Sequence, residues 1–404
     1  MDTSPRRTDI FPEGSSNLDD WRGLGDLIAI TTDRLATPVE GMHRAIADRW
    51  FGLAGPKAEP ARRMYDRLAA STYKTIRMGG SAAGASIAVG ADMASHRLPL
   101  RPLWNTPKGS YVQSIFNALW GDKFEDEQST FRIELGLRDA DGAPTPSDPS
   151  SLDRAFPRPK GRLVVMLHGL GETERCWLQK GNRSLPELLE ADGFSVLLVR
   201  YNTGRPVSES GLDLANLLEE ILHRWPVPVE DLALVGHSIG GLVARSAVAT
   251  AQAAGHAWVK LTHHLVAIGS PHLGTPIEKA VHLVSEGLDL FRETRPLGSF
   301  IGERSAGIKD LRFGPTSADD QTGRIEQHFV AGSVTNKPGH PVAALVGDLV
   351  VRVSSATGRG WQRQVQASDV VVMGGRHHAT LVHDVEVHSK IRKWLTAGQS
   401  PVHR

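Results

Sequence analysis

From residue 163 onward, short apolar runs alternate with segments whose apolar residues recur at helical spacing. The runs predicted to be strands are Leu163 to Leu167, Ser195 to Val199, Leu232 to Val235, Leu265 to Ile268, His328 to Ala331 and Val370 to Met373. This alternation is typical of a mainly parallel sheet covered by helices on both faces. The sequence therefore predicts an α/β fold with an open, doubly wound sheet that binds its ligand at the carboxyl ends of the strands.

The preceding part of the chain has helical periodicity and little strand signal. Thr37 to Glu40 has the pattern of a capping box, which predicts that a helix begins there. Ser110 to Gln113 predicts the start of a second helix, which ends at Gly121-Asp122. A run from Phe131 to Leu137 alternates like a strand. We therefore predict a helical amino-terminal region over residues 1–125 and an α/β domain over residues 126–404.

Charge and composition exclude several classes of protein. Lysine and arginine number 46 against 45 aspartates and glutamates, and no run of like charge stands out. A nucleic-acid partner is therefore not expected. The single cysteine, Cys176, cannot form an intrachain disulfide and is compatible with a reducing compartment.

The segment with the weakest polar character runs from Met78 to Ala91, but it consists mostly of glycine, alanine and serine. A helix needs about 20 largely apolar residues to cross a bilayer, so we expect a tightly packed or loosely ordered soluble segment rather than a membrane anchor. Gly80 and Gly84 are spaced so that two helices could approach closely. The amino-terminal residues contain no apolar stretch suited to a secretory signal. We expect a cytoplasmic chain, with peripheral membrane contact as an open alternative.

The most specific motif is Gly236-His237-Ser238-Ile239-Gly240-Gly241, between a predicted strand and a predicted helix. This is the G-x-S-x-G pattern in the strand-turn-helix setting of a nucleophile elbow. Glycines flank the serine because a Cβ at either position would clash with backbone in so tight a turn. The following helix directs amide hydrogens and its positive dipole end at the site, which favours a developing oxyanion. Ser238 is the predicted nucleophile, and an incidental serine in a glycine-rich turn is the alternative.

A serine hydroxyl needs a base within hydrogen-bond reach and an acid that orients the base. In a fold with this elbow the chain order is serine, acid, histidine. Asp348, which comes after the predicted strand His328 to Ala331, is the predicted acid, and an ordinary turn aspartate is the alternative. Its rivals Asp319 and Asp320 precede that strand, while Asp369 begins the last strand, at the far end of the sheet.

The base should come from the loop after the last predicted strand, where His377, His378 and His383 compete. His378 is preferred because it lies just before the last helix, which we expect to begin within Leu381 to Asp384. His377 is one residue too early, and His383 should already be helical. The predicted triad is therefore Ser238, Asp348 and His378.

The oxyanion needs two hydrogen-bond donors. One is predicted to be the backbone amide of Ile239, directly after the nucleophile. The other is predicted to be the amide of Leu170, in the turn His168 to Gly171 after the first core strand. A dinucleotide loop would also explain Gly169-x-Gly171, but residue 174 is glutamate rather than the third glycine of that fingerprint.

Neither a cofactor nor a metal ion is predicted. The sequence has no phosphate-binding loop with its lysine, and its histidines show no spacing typical of metal ligands. Cys176 and Trp177 are predicted to be packing residues. The alternative is that Trp177 lines an acyl pocket.

The stretch between Ser270 and Glu326 is long: about 55 residues stand where a short crossover helix would suffice. Thr275 to Glu278 has the pattern of a capping box. We predict a cap or lid insertion at about 275–325. It is either an amphipathic lid over an acyl-binding cleft or an enlarged packing helix.

Taken together, the motifs resemble those of bacterial α/β-hydrolase esterases and lipases, in particular the group related to GPI inositol-deacylase-like lipases. The resemblance covers about residues 126–397 and rests on His168 to Gly171, Arg200 to Gly204, Gly236 to Gly241, Gly269 to Pro276, Gly347-Asp348 and His378 to Asp384. It implies an α/β-hydrolase catalytic domain in which Ser238, Asp348 and His378 match the triad. Leu170 and Ile239 match the oxyanion donors. The His-Gly-x form of the oxyanion turn implies medium or longer acyl chains.

The resulting hypothesis is a serine carboxylic-ester hydrolase, an esterase or lipase, that acts on small-molecule or lipid esters through an acyl-enzyme. An acyltransferase would share that intermediate and is an open alternative. The other alternative is a lipid-binding or membrane-binding module that keeps the fold without turnover.

Overall fold

The computed structural model describes residues 17–54, 59–95, 103–178, 183–275, 305–313, 324–336, 347–360 and 364–397. These residues divide into two compact units. One unit comprises residues 105–125 and the described residues from 133 onward. The other comprises the described residues up to 104, together with residues 126–132.

Strands and helices alternate through most of the first unit. The strands are β1 (Gly136–Arg138), β2 (Pro144–Thr145), β3 (Arg162–Leu167), β4 (Ser195–Arg200), β5 (Asp231–His237), β6 (Thr262–Ile268), β7 (Glu326–Ser333) and β8 (Asp369–Gly374). The α-helices of the described residues are α1 (Asn17–Ala54), α2 (Glu59–Ser95), α3 (Pro107–Asp126), α4 (Pro149–Ala155), α5 (Leu185–Ala191), α6 (Val207–Arg224), α7 (Ile239–Ala254), α8 (Ala306–Phe313), α9 (Val353–Ala356) and α10 (Val385–Thr396). Short 3-10 helices cover Glu174–Trp177, Ala257–Leu261 and His378–His383.

The strands form one eight-stranded sheet in the order β2-β1-β4-β3-β5-β6-β7-β8. Strands β3 to β8 are parallel, whereas β1 is antiparallel to both β2 and β4. Every residue of β4 is buried, as expected for a parallel sheet covered on both faces. The six predicted strands are all present with slightly longer bounds, and the predicted α/β-hydrolase fold is confirmed.

The predicted strand from Phe131 to Leu137 is wrong in most of its length, because strand pairing starts only at Gly136. Its alternation has other causes. The rings of Phe131 and Trp104 form a T-shaped pair, with ring centroids 4.9 Å apart. The amide of Ile133 donates to Oδ1 of Asn117 at 3.0 Å. These residues are buried by local packing rather than by a sheet.

In the second unit, α1 and α2 pack closely against each other. A Cβ on Gly84 would lie 2.4 Å from the carbonyl oxygen of Gly25, and one on Gly80 would lie 2.5 Å from Cβ of Thr32. The close approach expected from Gly80 and Gly84 is therefore present in this helix pair. Within the described part of the chain, no helix is long and apolar enough to cross a membrane.

Helix boundaries differ from the predicted ones. Helix α1 passes through Thr37 without interruption, because the Thr37 hydroxyl donates to the carbonyl of Asp33 at 2.9 Å instead of capping a new helix. Helix α3 begins at Pro107, where Oγ1 of Thr106 accepts from the Gly109 amide at 3.0 Å. It bends at Trp120 and continues to Asp126.

Helix α3 groups with the sheet, whereas the prediction placed it in the amino-terminal region. The contacts explain this grouping. The Asn202 side chain donates to the carbonyl of Gly121 at 2.9 Å, and the Ser305 hydroxyl donates to that of Ala118 at 2.6 Å. The helix is thus fixed to the segment that follows β4.

Most of the predicted cap or lid at about 275–325 lies outside the described residues and stays a prediction. Its described part includes α8, in which Ile308 and Leu311 are buried. The Thr275 amide donates to the carbonyl of Leu311 at 2.8 Å. This helix therefore packs on the segment that follows β6.

A buried ion pair fixes the segment after β3 to the end of β4. Nε and Nη2 of Arg200 donate to the two carboxylate oxygens of Glu174 at 2.7 and 2.6 Å. Both side chains are almost fully buried, with 2% and 0% exposure. A bidentate pair of this kind is costly to break, because either charge alone would remain buried without its partner.

We predict that Glu174→Ala lowers the free energy of unfolding by about 3–5 kcal/mol, since the guanidinium loses its carboxylate. Denaturant unfolding measures the change. The control is Glu209→Ala, which removes an exposed partner of Arg205 and should cost less than about 1 kcal/mol. Equal losses in the two variants would contradict the prediction.

Candidate active site

Ser238 stands in a sharply bent turn between β5 and α7. Its backbone has φ 53° and ψ −123°, a conformation that non-glycine residues rarely adopt. A Cβ on Gly236 would lie 2.4 Å from the carbonyl carbon of Gly240, and one on Gly240 would lie 2.5 Å from the carbonyl oxygen of Leu167. The glycines are therefore required by close backbone contacts, and the turn has the geometry of a nucleophile elbow.

Asp348 and His378 are joined by a short hydrogen bond. Nδ1 of His378 lies 2.7 Å from Oδ2 of Asp348, and the His378 amide donates to the Asp348 carbonyl at 3.1 Å. The other carboxylate oxygen accepts from the amides of Val350 and Val351 at 3.0 and 2.7 Å. The Asp348 side chain is fully buried and that of His378 nearly so. These hydrogen bonds hold the carboxylate in one orientation toward the His378 ring.

Electrostatics favour the charged form of the carboxylate. Burial by itself raises the pKa of Asp348, but the His378 ring and the two amides outweigh burial and hold that pKa below its ordinary value of 3.8. For His378, burial alone lowers the pKa, and the charge and hydrogen bond of Asp348 more than offset it, so that the pKa lies above 6.5. With Asp348 ionised, Nδ1 carries the proton that it donates, and Nε2 is the basic nitrogen.

Nε2 of His378 is buried and has no hydrogen-bond partner among the described residues. The Ser238 hydroxyl therefore does not bond to it in this structure. The ring nevertheless lies at the elbow. A Cβ on Gly269 would be 3.1 Å from Cε1 of His378, and the preceding residue, Ile268, accepts from the Ser238 amide at 2.8 Å. Nucleophile and base are often more loosely placed in a free enzyme than in its substrate complex.

The competing histidines occupy different positions. His377 is exposed and precedes the 3-10 helix, whereas His383 ends that helix. Burial and the neighbouring His388 hold the pKa of His383 below its ordinary value. His378 is the first residue of the 3-10 helix rather than part of a loop, and the last α-helix starts later than expected, at Val385.

The competing acids are also separated from this site. Asp369 begins β8, and its Oδ2 accepts from Nε1 of Trp394 at 3.0 Å, at the end of the strand opposite to His378. Asp319 and Asp320 lie outside the described residues. Of the candidates that the structure describes, Asp348 is the one that contacts a predicted base.

The turn after β3 lies beside the elbow, since Leu167 pairs with Gly236 in the sheet. The amides on either side of Leu170 have partners: Gly169 donates to Oε2 of Glu172 at 2.7 Å, and Gly171 donates to Oγ1 of Thr203 at 3.2 Å. The turn thus places the Leu170 amide between two fixed neighbours. Ile239 is the first residue of α7, so its amide is one of those that a helix leaves without an internal acceptor.

The buried His168 side chain stabilises this turn by hydrogen bonds. Nδ1 of His168 donates to the carbonyl of Gly169 at 3.0 Å, and Nε2 accepts from the Tyr201 amide at 3.3 Å. The Tyr201 hydroxyl donates to the carbonyl of His168 at 2.7 Å. Burial lowers the pKa of His168 to about 4, so the ring stays neutral near pH 7. Its single proton lies on Nδ1, the nitrogen that donates. The Arg200 to Gly204 motif therefore supports the predicted oxyanion turn.

Sequence reasoning missed a link between the oxyanion turn and the elbow. Oε2 of Glu172 accepts from the Gly169 amide and lies 2.8 Å from Nδ1 of His237, the residue before the nucleophile. Burial raises the pKa of Glu172, but His237 and the Gly169 amide outweigh burial and hold it at about 2. An acidic residue next to the His168 to Gly171 turn was the signal available in the sequence.

Another cluster lies away from the triad. His264, Glu326 and His328 place potential metal-ligand atoms close together near the amino ends of β6 and β7. The triad, by contrast, lies at the carboxyl ends of the strands.

Two residues were predicted to be packing residues. Trp177 is buried in the main hydrophobic core, and the partly buried Cys176 packs against that core.

Residues 158–301 match the family described as "Putative serine esterase (DUF676)". The match includes Leu170, Ser238 and Ile239 but ends before Asp348 and His378. It confirms the prediction of an enzyme of the esterase or lipase type. The narrower relation to GPI inositol-deacylase-like lipases stays a prediction, and no curated protein matches the chain.

Several solved structures are similar to this chain at low sequence identity. The mature lipase BlEst2 of Bacillus licheniformis is 18% identical, with 58% of this chain and 91% of that chain covered and a TM-score of 0.41. The Pyrococcus furiosus esterase Pf2001 is 19% identical, with 59% and 81% covered and a TM-score of 0.40. The RedJ thioesterase of Streptomyces coelicolor is 19% identical, with 60% and 98% covered and a TM-score of 0.39. The fold assignment rests on the strand order and the elbow.

We predict that Glu172→Gln lowers kcat/KM for an ester substrate by about 10- to 100-fold, because a slightly misplaced oxyanion turn loses transition-state contacts. The substitution keeps the side-chain shape but removes the charge that faces His237. Steady-state kinetics and circular dichroism measure activity and folding. Glu190→Gln, at an exposed carboxylate on α5, is the matched control and should leave kcat/KM unchanged. Wild-type kinetics in the Glu172 variant would contradict this role.

We also predict a pH dependence set by His378. The ring acts as a base only when neutral, so kcat/KM should rise with pH through an apparent pKa above 6.5, the ordinary imidazole value. Asp348→Asn removes the charge that raises this pKa while burial still lowers it, so the rising limb should move to lower pH. The same variant should lose about 10⁴-fold in kcat. An unmoved limb would show that Asp348 does not control the base.

Proposed function

We propose that this chain is a serine carboxylic-ester hydrolase that works through an acyl-enzyme, with Ser238 as nucleophile and His378 as base. The buried hydrogen bond between Asp348 and His378, next to the strained turn that carries Ser238, is the observation that carries the proposal. Nε2 of His378 is buried and has no hydrogen-bond partner among the described residues, so in the neutral ring it is suited to accept the hydroxyl proton of the nearby serine.

In the first step, the Ser238 hydroxyl rotates toward Nε2 of His378 and attacks the ester carbonyl carbon. A bond forms between Oγ and that carbon as Nε2 takes the hydroxyl proton. The carbonyl oxygen becomes an oxyanion, which accepts hydrogen bonds from the amides of Leu170 and Ile239. The positive amide end of α7 further stabilises this charge.

In the second step, the tetrahedral intermediate collapses and the bond to the alcohol oxygen breaks. The proton on Nε2 passes to the leaving alcohol, which gives an acyl group on Ser238. Water then attacks the acyl carbon while His378 takes its proton, and collapse returns that proton to Oγ with release of the acid. Throughout, Asp348 holds the ring by Nδ1 and stabilises the imidazolium.

The substrate class in this proposal is a small-molecule or lipid ester with a medium or longer acyl chain. It follows from the likeness of the His168 to Gly171 turn to that of lipases and esterases. Transfer of the acyl group to an acceptor other than water would use the same acyl-enzyme. The catalytic residues all belong to the unit that contains the sheet.

We predict that Ser238→Ala lowers kcat at least about 10³-fold on p-nitrophenyl esters, because the nucleophile is absent and no acyl-enzyme forms. A series of acyl lengths, measured by p-nitrophenol release, should show its maximum at medium or longer chains. Circular dichroism should show a folded variant.

The base is tested in the same assay. His378→Ala should lose activity to a similar extent, whereas His383→Ala should keep most of it and serves as the matched control. Equal activities of the two histidine variants, or near wild-type turnover by Ser238→Ala, would contradict the proposed machinery.

A further inference from the structure

Two histidines and a glutamate come together near the amino ends of neighbouring strands. The sheet register pairs His264 of β6 with Glu326 of β7, and Val266 with His328. Side chains two residues apart on a strand lie on the same face, and paired residues of parallel strands share a face. The register therefore directs all three side chains to one face of the sheet, the face on which His328 stacks against Trp394 of α10.

The potential ligand atoms form a small triangle. Nδ1 of His264 lies 3.2 Å from Nε2 of His328, and these atoms lie 3.5 and 3.6 Å from Oε2 of Glu326. Both rings are buried, whereas Glu326 reaches the solvent, with 58% of its side chain exposed. The two imidazoles are thus enclosed by the protein, whereas the carboxylate is accessible to solvent.

Hydrogen bonding satisfies this triangle poorly. A single proton can lie between the two imidazole nitrogens at 3.2 Å, and the carboxylate oxygen is at the limit of hydrogen-bond length from both. Three atoms that can each offer a lone pair therefore lie close together, with too few protons to give each of them a hydrogen bond. A cation at that point would accept all three lone pairs.

The size of the triangle selects the kind of cation. Zinc binds histidine nitrogen and carboxylate oxygen at about 2.0–2.2 Å in a tetrahedral arrangement, in which neighbouring ligand atoms are about 3.4 Å apart. An octahedral site with similar bond lengths brings neighbouring ligand atoms to about 3.0 Å. The three observed separations bracket the tetrahedral value and all exceed the octahedral one.

The charges fit the same ion. Both nitrogen ligands belong to buried imidazoles, and it is the neutral form of imidazole that binds a metal ion. Glu326 supplies a negative charge, Asp369 and Asp231 lie close enough to act on the rings, and Arg162 opposes them at His264.

We propose that His264 Nδ1, His328 Nε2 and Glu326 Oε2 bind one zinc ion, with water as the fourth ligand on the solvent side of Glu326. The site links the amino ends of β6 and β7, whereas the triad lies at the carboxyl ends of the strands. It is independent of the esterase proposal. The sequence did not indicate it, because His264 lies more than sixty residues before Glu326 and His328 and meets them only through the strand register.

The test is zinc binding by the full-length protein after removal of metals with a chelator. Isothermal titration with Zn²⁺ should give one equivalent per chain, and zinc should raise the melting temperature of the wild type because it binds the folded state. Glu326→Gln and His264→Gln should each weaken zinc binding at least about tenfold. Anomalous diffraction at the zinc edge should place the ion between the three side chains.

His263→Gln is the matched control, since His263 is the sequence neighbour of His264 but is exposed and pairs with Asp231. It should bind zinc like the wild type. Because Glu326 is exposed, its variant tests the site even if His264→Gln does not fold. The proposal is overturned if the wild type binds no zinc, if Glu326→Gln binds it with wild-type affinity, or if His263→Gln loses the site.

Discussion

The site depends on the burial of one ionised carboxylate. Asp348 has no access to water, so its charge must be satisfied by fixed donors, and the structure supplies two backbone amides and the His378 ring. A charge in this situation tolerates little movement of its partners, since losing any of them leaves an unsatisfied buried charge. The same requirement that holds the turn together also orients the imidazole. Stability and chemistry are therefore served by one set of contacts.

Neighbouring segments keep that carboxylate in place. The Thr275 hydroxyl donates to the carbonyl of Val350 at 2.6 Å, and Ser355 joins the same region through the Leu273 amide and the Gly274 carbonyl. The segment after β6 thereby fixes the acid turn after β7. Because parallel strands end at the same edge of the sheet, the elbow after β5 and the base after β8 lie at that edge as well.

The sequence predicted the parts of this arrangement that depend on local rules. The six core strands follow from continuous apolar runs, and the elbow follows from glycines at positions where a Cβ would contact backbone at 2.4 to 2.5 Å. Parts that depend on distant contacts were missed or misplaced. Thr37 has the pattern of a helix start, but packing continues α1 through it. The link from Glu172 to His237 and the His264 cluster arise from strand register, which one sequence does not reveal.

A covalent serine label would identify the nucleophile. The protein would be treated with an organophosphonate ester, and the modified residue would be located by peptide mass spectrometry. We expect one adduct per chain, on the peptide that contains Ser238, with loss of ester hydrolysis in proportion to labelling. An adduct on another residue that abolishes hydrolysis, or full activity with Ser238 labelled, would contradict it.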